Sequence, residues 1–553
     1  MNEVAIVGRK LSKTEKLGWR RHRLIGAGSK FRLLVILLTS LQLVFAHSLT
    51  AEQPATKHFL ARSYFANARK ALSAGDSATA LEQLRQAIQA DPTFADAYLL
   101  LGSTEFQSGE IRDSIQHYKR ALELRPQSYS GHFNLALAYL RQREFQEARP
   151  HLEQAVKLDA RQADAAYDLA IVTLELGEPS TALKYLKRAR ALDPQRPDVA
   201  FNIVRALLEQ NQIASARAEA QVSAKRFGSD FDWVAALGQL FLKKAQAKDA
   251  AVYLHEASLI HPNDTEIRRQ LAMAYLEAHE PGAALDSMKQ PATADDHYLR
   301  GTAYYAIRLF PEADQESEQA LALAPDDPRI LVLRTRLLQR AGQQDAALQT
   351  AKKAITLAPN WDEPYYLAGV SSYFIRRYGE ASRDLARARE LNPNLARAFF
   401  LEAIALANQG KLEDAEERLR RAIIMQPNNA RFHSHLGILL ARKNQQSEAE
   451  ASFREAIQLN PNYALSHYEL GKLLVSSQRF REAVDQLEQA TRQDPGMGAA
   501  YYQLARLYSR LGEAERAERA LAEFQKIYQN EASDSQAADQ AIEEDTRKET
   551  ESH

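Results

Sequence analysis

The feature that most constrains this 553-residue chain is a proline dipeptide that returns on a fixed period. Asp-Pro, Asn-Pro, Ala-Pro and their kin place Pro92, Pro126, Pro194, Pro262, Pro325, Pro359, Pro393, Pro427, Pro461 and Pro495 mostly 34 residues, or twice 34, apart. Such a period belongs to arrays of small units that pack on their neighbours, not to three or four ordinary globular domains. Repeats counted from Ala61, Ala95, Tyr129, Ala163, Pro197, Phe231, Thr265, Ala294, Pro328, Asp362, Ala396, Ala430, Ala464 and Gly498 number fourteen and end near Asn530.

Within the repeat, position twenty is alanine thirteen times, from Ala80 to Ala517, and serine once, at Ser114. Position eight is small as well, with Gly102, Gly238, Gly301, Gly369, Gly437 and Gly471 beside Ala68, Ala136, Ala170, Ala272, Ala403 and Ala505. Small residues at two fixed positions mean two helices meeting at close range. Gly75, Gly109, Gly177, Gly342, Gly410 and Gly512 fall between the two apolar-periodic segments, where a left-handed residue closes the first helix. Large apolar residues at positions seven and twenty-four, such as Leu101, Leu135, Leu169, Leu84, Leu152 and Leu186, cover those contacts. With only 22 glycines, abundant helix formers and no alternating runs of β-branched residues, the expected class is all-α.

Small at eight, alanine at twenty and twenty-seven and proline at thirty-two is a pattern that resembles the tetratricopeptide repeat over about 470 residues. The resemblance implies an α-solenoid, a right-handed superhelix of helix-turn-helix units. First helices would line a concave groove and second helices would form the convex back. One hairpin cannot bury its apolar face alone, so stacking is obligatory. The seventh repeat departs from the pattern: it runs from Thr265 to Thr293, 29 residues, and Pro291 stands where the twenty-seventh residue should be. Its second helix is expected to end early, and a kink or altered stacking angle there would separate repeats one to seven (61–293) from eight to fourteen (294–530). A loop adjustment without functional meaning is the alternative.

The ends differ in charge. Residues 1–32 carry nine Lys/Arg against Glu3 and Glu15, and residues 531–553 carry eight acids against Arg547 and Lys548. The middle is left with 60 bases and 61 acids, which gives it no net charge with which to draw nucleic acid. Basic residues from Arg20 to Arg32 precede an uncharged apolar run from Leu33 to Ala46, the layout of a signal peptide cleaved after Ala46, with Val44 and Ala46 at the small-residue positions. Export to the periplasm or medium follows from that reading. An uncleaved membrane anchor at residues 33–46 is the alternative, and the membrane would then be touched only through this segment. Ala51-Glu52-Gln53-Pro54 reads as a helix break, residues 47–60 as a linker and the start of the first helix, and residues 531–553 as a disordered acidic tail. The chain has no cysteine, which excludes disulfides, thiolate metal sites and a cysteine nucleophile.

The family resemblance assigns positions two, five, nine and twelve to the groove. Position five reads Phe65, Phe133, Tyr167, Phe201, Tyr298, Tyr366, Phe400, Tyr468 and Tyr502. Aromatics there suit an extended or helical peptide, although packing against the next repeat would explain them equally. Position two changes from acids (Asp96, Asp164, Asp198, Asp232, Glu266, Asp295) to Arg329, Arg397 and Arg431, with Glu363 the exception. Acids in a first helical turn are favoured by about 0.3–1 kcal/mol and need no ligand. The arginines run against that preference. Together with Arg336 they are candidates for an acidic partner, or for pairing with nearby glutamates. His433 and His435 point about 200° apart on a helix and cannot share a metal. Gly26-Ala27-Gly28-Ser29-Lys30 lacks the spacing of a phosphate loop. No catalytic residue, metal site or cofactor is expected. The reading is a non-enzymatic scaffold binding proteins or peptides, exported or in the cell envelope. The alternative is a membrane-anchored or substrate-presenting subunit of a separate enzyme, such as a glycosyltransferase, or of a secretion machine.

Overall fold

A computed structural model of the chain describes residues 54–529. The segment expected to be a signal or anchor, with cleavage after Ala46, most of the expected linker before residue 54 and the expected acidic tail at 531–553 lie outside them. Among the described residues the chain is helix joined by short turns, without a strand. Twenty-seven helices, from Pro54–Ser73 to Gly498–Leu511, are followed by a further helical stretch over 514–529. The first described helix is Pro54–Ser73, and the break expected at Ala51-Glu52-Gln53-Pro54 falls at the edge of the described residues.

Each repeat is a helical hairpin, and the turn inside it is built the same way fourteen times. Residue fifteen adopts a left-handed conformation in every repeat. The residue after it donates its backbone N–H back five positions, as Glu110 does to the Glu105 carbonyl at 2.9 Å and Glu513 to Tyr508 at 2.9 Å. This Schellman closure satisfies carbonyls that the helix end would leave bare. Six of the fourteen positions are the glycines anticipated from sequence. The other eight are Arg143, Asn211, Ala245, His279, Arg308, Arg376, Asn444 and Gln478, each held at positive φ despite its side chain.

The hairpin closes on the small residues. At position twenty every residue from Ala80 to Ala483 is fully buried, Ser114 included, and only Ala517 is half-buried. Position eight packs on position twenty-four of the same repeat. A Cβ placed on Gly437 would stand 2.6 Å from the Phe453 ring, and one on Gly238 or Gly471 would stand 2.7 Å from Leu254 or Leu487. In the fifth repeat the sizes are exchanged, with Val204 at position eight facing Ala220, and both are buried. Where both partners are small, at Gly301 and Ser317, Leu333 of the following repeat fills the space. Stacking adds a polar register: His132, His433 and His467, at position four, each bond through Nε2 to the carbonyl of Pro126, Pro427 or Pro461 in the preceding turn, at 2.8–3.0 Å.

The chain divides into two compact stacks between Ser287 and Met288. In the seventh repeat the second helix is Pro281–Ser287, seven residues where the other second helices of the array have about twice that length. Within the C-terminal stack the first helices of successive repeats, such as Ala294–Ala306, Pro328–Arg340 and Asp362–Phe374, approach each other directly. No second helix makes a comparable approach to the next second helix among the described residues, so the first-helix side is the narrower face of the stack. The same holds in the N-terminal stack, for instance between Ala163–Glu175 and Pro197–Glu209.

Candidate functional site

The aromatic residues at position five are engaged by their neighbours rather than free. Phe133 and Phe400 are buried, Phe65, Tyr167, Phe201, Tyr298, Tyr366 and Tyr468 are half-buried, and Tyr502 is exposed. Phe133 stacks on Tyr129 with ring centroids 5.5 Å apart, Phe65 leans on Phe94 at 5.1 Å, and Phe400 stacks on Phe432 of the next repeat at 4.7 Å. Even Tyr502 meets Phe524, at 5.3 Å. The Phe400 contact joins two repeats, and the other three lie within one, so these rings are engaged inside the array.

The arginines at position two explain themselves once the repeats are stacked. Each lies over the position-five ring of the repeat before it: Arg329 is 5.3 Å from the Tyr298 ring, Arg397 4.2 Å from Tyr366 and Arg431 4.9 Å from Phe400. A guanidinium over an aromatic face contributes roughly 0.5–1 kcal/mol at an exposed site, enough to offset its unfavourable place in a first helical turn. Three of the four candidate arginines are also neutralised. Arg329 bonds Asp295 and Asp327, each at 2.6 Å. Arg336 reaches Glu363 at 2.8 Å, and Arg397 holds the other oxygen of the same carboxylate. Glu363, the exception in the position-two series, is a buried acid clamped between two arginines of neighbouring repeats.

Arg431 differs. It is exposed, and no carboxylate pairs with it among the described residues. Around it stand aromatic groups. Its charge opposes the effect of burial, which raises the pKa of Tyr366, Tyr373 and Tyr463. His435 sits edge-on to Phe400 at 5.0 Å, and burial, then the Arg431 charge, pushes its ring down to about 4. His435 is therefore neutral at pH 7, and His433 faces elsewhere, onto Pro427. Beside Arg431 lies an open groove of about 730 Å³ lined by Gln426, Pro427, Asn429, Asn460 and Tyr463.

The corresponding face of the N-terminal stack is acidic. Arg196 lies 4.4 Å over the Tyr167 ring and bridges Asp164 at 2.7 Å and Asp198 at 2.6 Å. Next to them Asp168 is half-buried, and burial, reinforced by Asp164, pushes its carboxyl up to about 7. Sequence reasoning passed over Arg196 and Asp168, because positions thirty-four and six carry no repeat-wide signal, and over Tyr373 and Tyr463, which come under the charge of Arg431 only through stacking. No group of three or more His, Asp or Glu side chains is arranged to hold a metal among the described residues, and no described helix is long and apolar enough to cross a membrane.

Tetratricopeptide repeat family profiles match residues 102–143, 133–197, 173–240, 400–464 and 474–541. No curated protein matches the chain. Among solved structures, the chain is similar to the Cut9–Hcn1 hetero-tetramer of the APC/C (14% identity, 85% of this chain and 99% of that one, TM-score 0.39). It is also similar to yeast Tom70 (18%, 78% and 91%, TM-score 0.33) and to YrrB, described as a TPR protein with an unusual peptide-binding site (22%, 35% and 96%, TM-score 0.30). With the glycine, alanine and proline positions repeated through both stacks and the profiles matching in each, the chain belongs to the tetratricopeptide repeat family.

Proposed function

We propose that the chain is a non-enzymatic scaffold that holds partner proteins or peptides on the first-helix faces of its stacks. Tetratricopeptide repeats generally mediate protein or peptide binding, which supports the coarse reading. The observation that carries the finer one is the distribution of side chains. On the first-helix side, arginines lie over aromatic rings and pair with carboxylates across repeats in both stacks, with Arg196 among Asp164, Asp168 and Asp198 in one and Arg329, Arg397 and Arg431 in the other. Such faces suit association steered by charge and anchored on aromatic edges.

The test is recovery of partners from the native source with three forms of the full chain. Charge reversal at Arg329, Arg397 and Arg431 is expected to lose partners. A variant carrying serine at Val222, Val252 and Leu259, exposed on second helices, is expected to keep them. The opposite pattern would move the binding face to the second helices, provided circular dichroism shows both variants folded.

Location is part of the proposal. The basic segment followed by the uncharged run from Leu33 to Ala46 supports export, with the array outside the cytoplasm. A mature N-terminus at His47 in the envelope or medium fraction is the expected result. An intact N-terminus in the membrane pellet would mean an anchor, and an intact soluble cytosolic chain would refute export.

A further inference from the structure

Of the four candidate arginines on the first-helix face of the C-terminal stack, three are already satisfied. Arg329, Arg336 and Arg397 give their guanidiniums to Asp295, Asp327 and Glu363. Arg431 occupies the same place in its repeat as Arg329 and Arg397, lies over an aromatic ring as they do, and has no acid. The Phe400 ring offsets the cost of a cation in the first turn of Ala430–Arg442, but no carboxylate among the described residues neutralises the charge. Its charge acts on Tyr366, Tyr373, Tyr463 and His435, and the nearby Glu363 carboxylate is already held by Arg336 and Arg397. An exposed guanidinium fixed by its ring from below keeps its outer N–H groups in one plane, ready for two parallel bonds to a carboxylate.

The groove beside it is large enough for several residues of peptide and is lined by amide side chains and Tyr463, which can bond backbone and pack against side chains. We propose that Arg431 anchors an acidic segment of a partner protein, a partner glutamate or aspartate binding the guanidinium while the flanking residues run along the groove past Asn460 and Tyr463. The inference rests on the protein-binding reading and narrows it to one anchor and one partner chemistry. Arg329, Arg336 and Arg397 are neutralised, and Arg506, exposed over Tyr502 without an acid among the described residues, does not line this groove, so an acidic segment entering the groove meets Arg431 as its uncompensated cation.

The probe is a fluorescein-labelled hexaglutamate peptide, amidated at its C-terminus, titrated by anisotropy into the full chain at low salt, with hexaglutamine as control. Hexaglutamate is expected to bind and hexaglutamine not. Arg431→Gln is expected to weaken hexaglutamate at least about 10-fold, the loss of a charge-assisted pair. Arg431→Lys should recover part of it. Arg329→Gln and Arg397→Gln, which remove arginines already paired, should change it by less than about 3-fold. Equal losses in all three arginine variants, or no preference for glutamate over glutamine, would overturn the proposal. A chain lacking residues 531–553 tests the other occupant: binding tightened about 10-fold would mean that the protein's own acidic segment fills the site, which also overturns it. Partner recovery that survives Arg431→Gln would leave the scaffold reading standing while removing this anchor.

Discussion

Three consecutive turns of the N-terminal stack offer one conformational experiment with three different side chains. Gly177, Asn211 and Ala245 hold the same left-handed position, with φ of 77°, 57° and 54°. An alanine in that conformation costs about 1–2 kcal/mol, while glycine loses about 0.5–1 kcal/mol more chain entropy on folding. Ala245→Gly should therefore stabilise by about 0.5–1 kcal/mol. Asparagine visits this region with little penalty, so Asn211→Gly should be near neutral. Gly177→Ala should destabilise by about as much as Ala245→Gly stabilises, and sterics do not confound it, because nothing lies within 4 Å of a Cβ built there. Trp233 is buried in the repeat that Ala245 closes. With Trp19 and Trp361 replaced by phenylalanine, its fluorescence reports urea unfolding of this stack alone. The expected midpoint order is Ala245→Gly above wild type, Asn211→Gly equal to it and Gly177→Ala below, at constant m-value. A lowered midpoint for Ala245→Gly, or an equal gain at Asn211, would refute the argument that stacking holds these residues in a costly conformation.

Other expected outcomes follow from the same geometry. Gly437→Ala should lower stability by about 1–2 kcal/mol, because overpacking against the buried Phe453 ring exceeds the gain in helix propensity, and adding Phe453→Leu should recover part of the loss in thermal denaturation. Glu363→Gln should cost about 1–3 kcal/mol, since it leaves Arg336 and Arg397 without their shared carboxylate; a loss unchanged by 1 M salt would fit the burial of that carboxylate, and a negligible loss would contradict it. His151 and His435 are held down to about 4 against an ordinary 6.5, His151 by burial, then by His132 and Lys119. The unfolded chain thus binds their protons first as pH falls. Their contribution to stability is full above pH 6.5 and lost between 6.5 and 4, and replacing both by leucine should flatten the denaturation midpoint across that window. Asp168 has the opposite sign: its carboxyl is raised to about 7 from 3.8, so its contribution is lost as pH rises through 7, and Asp168→Asn should stabilise at pH 8 and do little at pH 3.

The repeat itself was open to reading because its defining contacts are local. Position eight meets position twenty-four within one hairpin, and position thirty-two ends the second helix, so residue size and the proline period report them directly. The hydrophobic pairs Gly437 with Phe453 and Gly471 with Leu487 are of this kind. The turn was only half legible: glycine marks six left-handed positions, but Ala245 and Arg376 occupy the same conformation because stacking over-determines it, and nothing in those side chains announces the fact.

The candidate site was less legible for a related reason. Its pairings span one repeat: Arg329 to Asp295, Arg397 to Glu363 and Arg431 to Phe400 join residues on helices that become neighbours only when hairpins stack in register. Sequence alone gave the class, the period, the short seventh repeat and the list of unusual arginines, since each depends on periodicity along a single helical hairpin. Which of those arginines are spent on internal carboxylates and which one is left to meet a partner was decided by tertiary structure, because charge compensation acts across space between repeats and leaves no period in the chain.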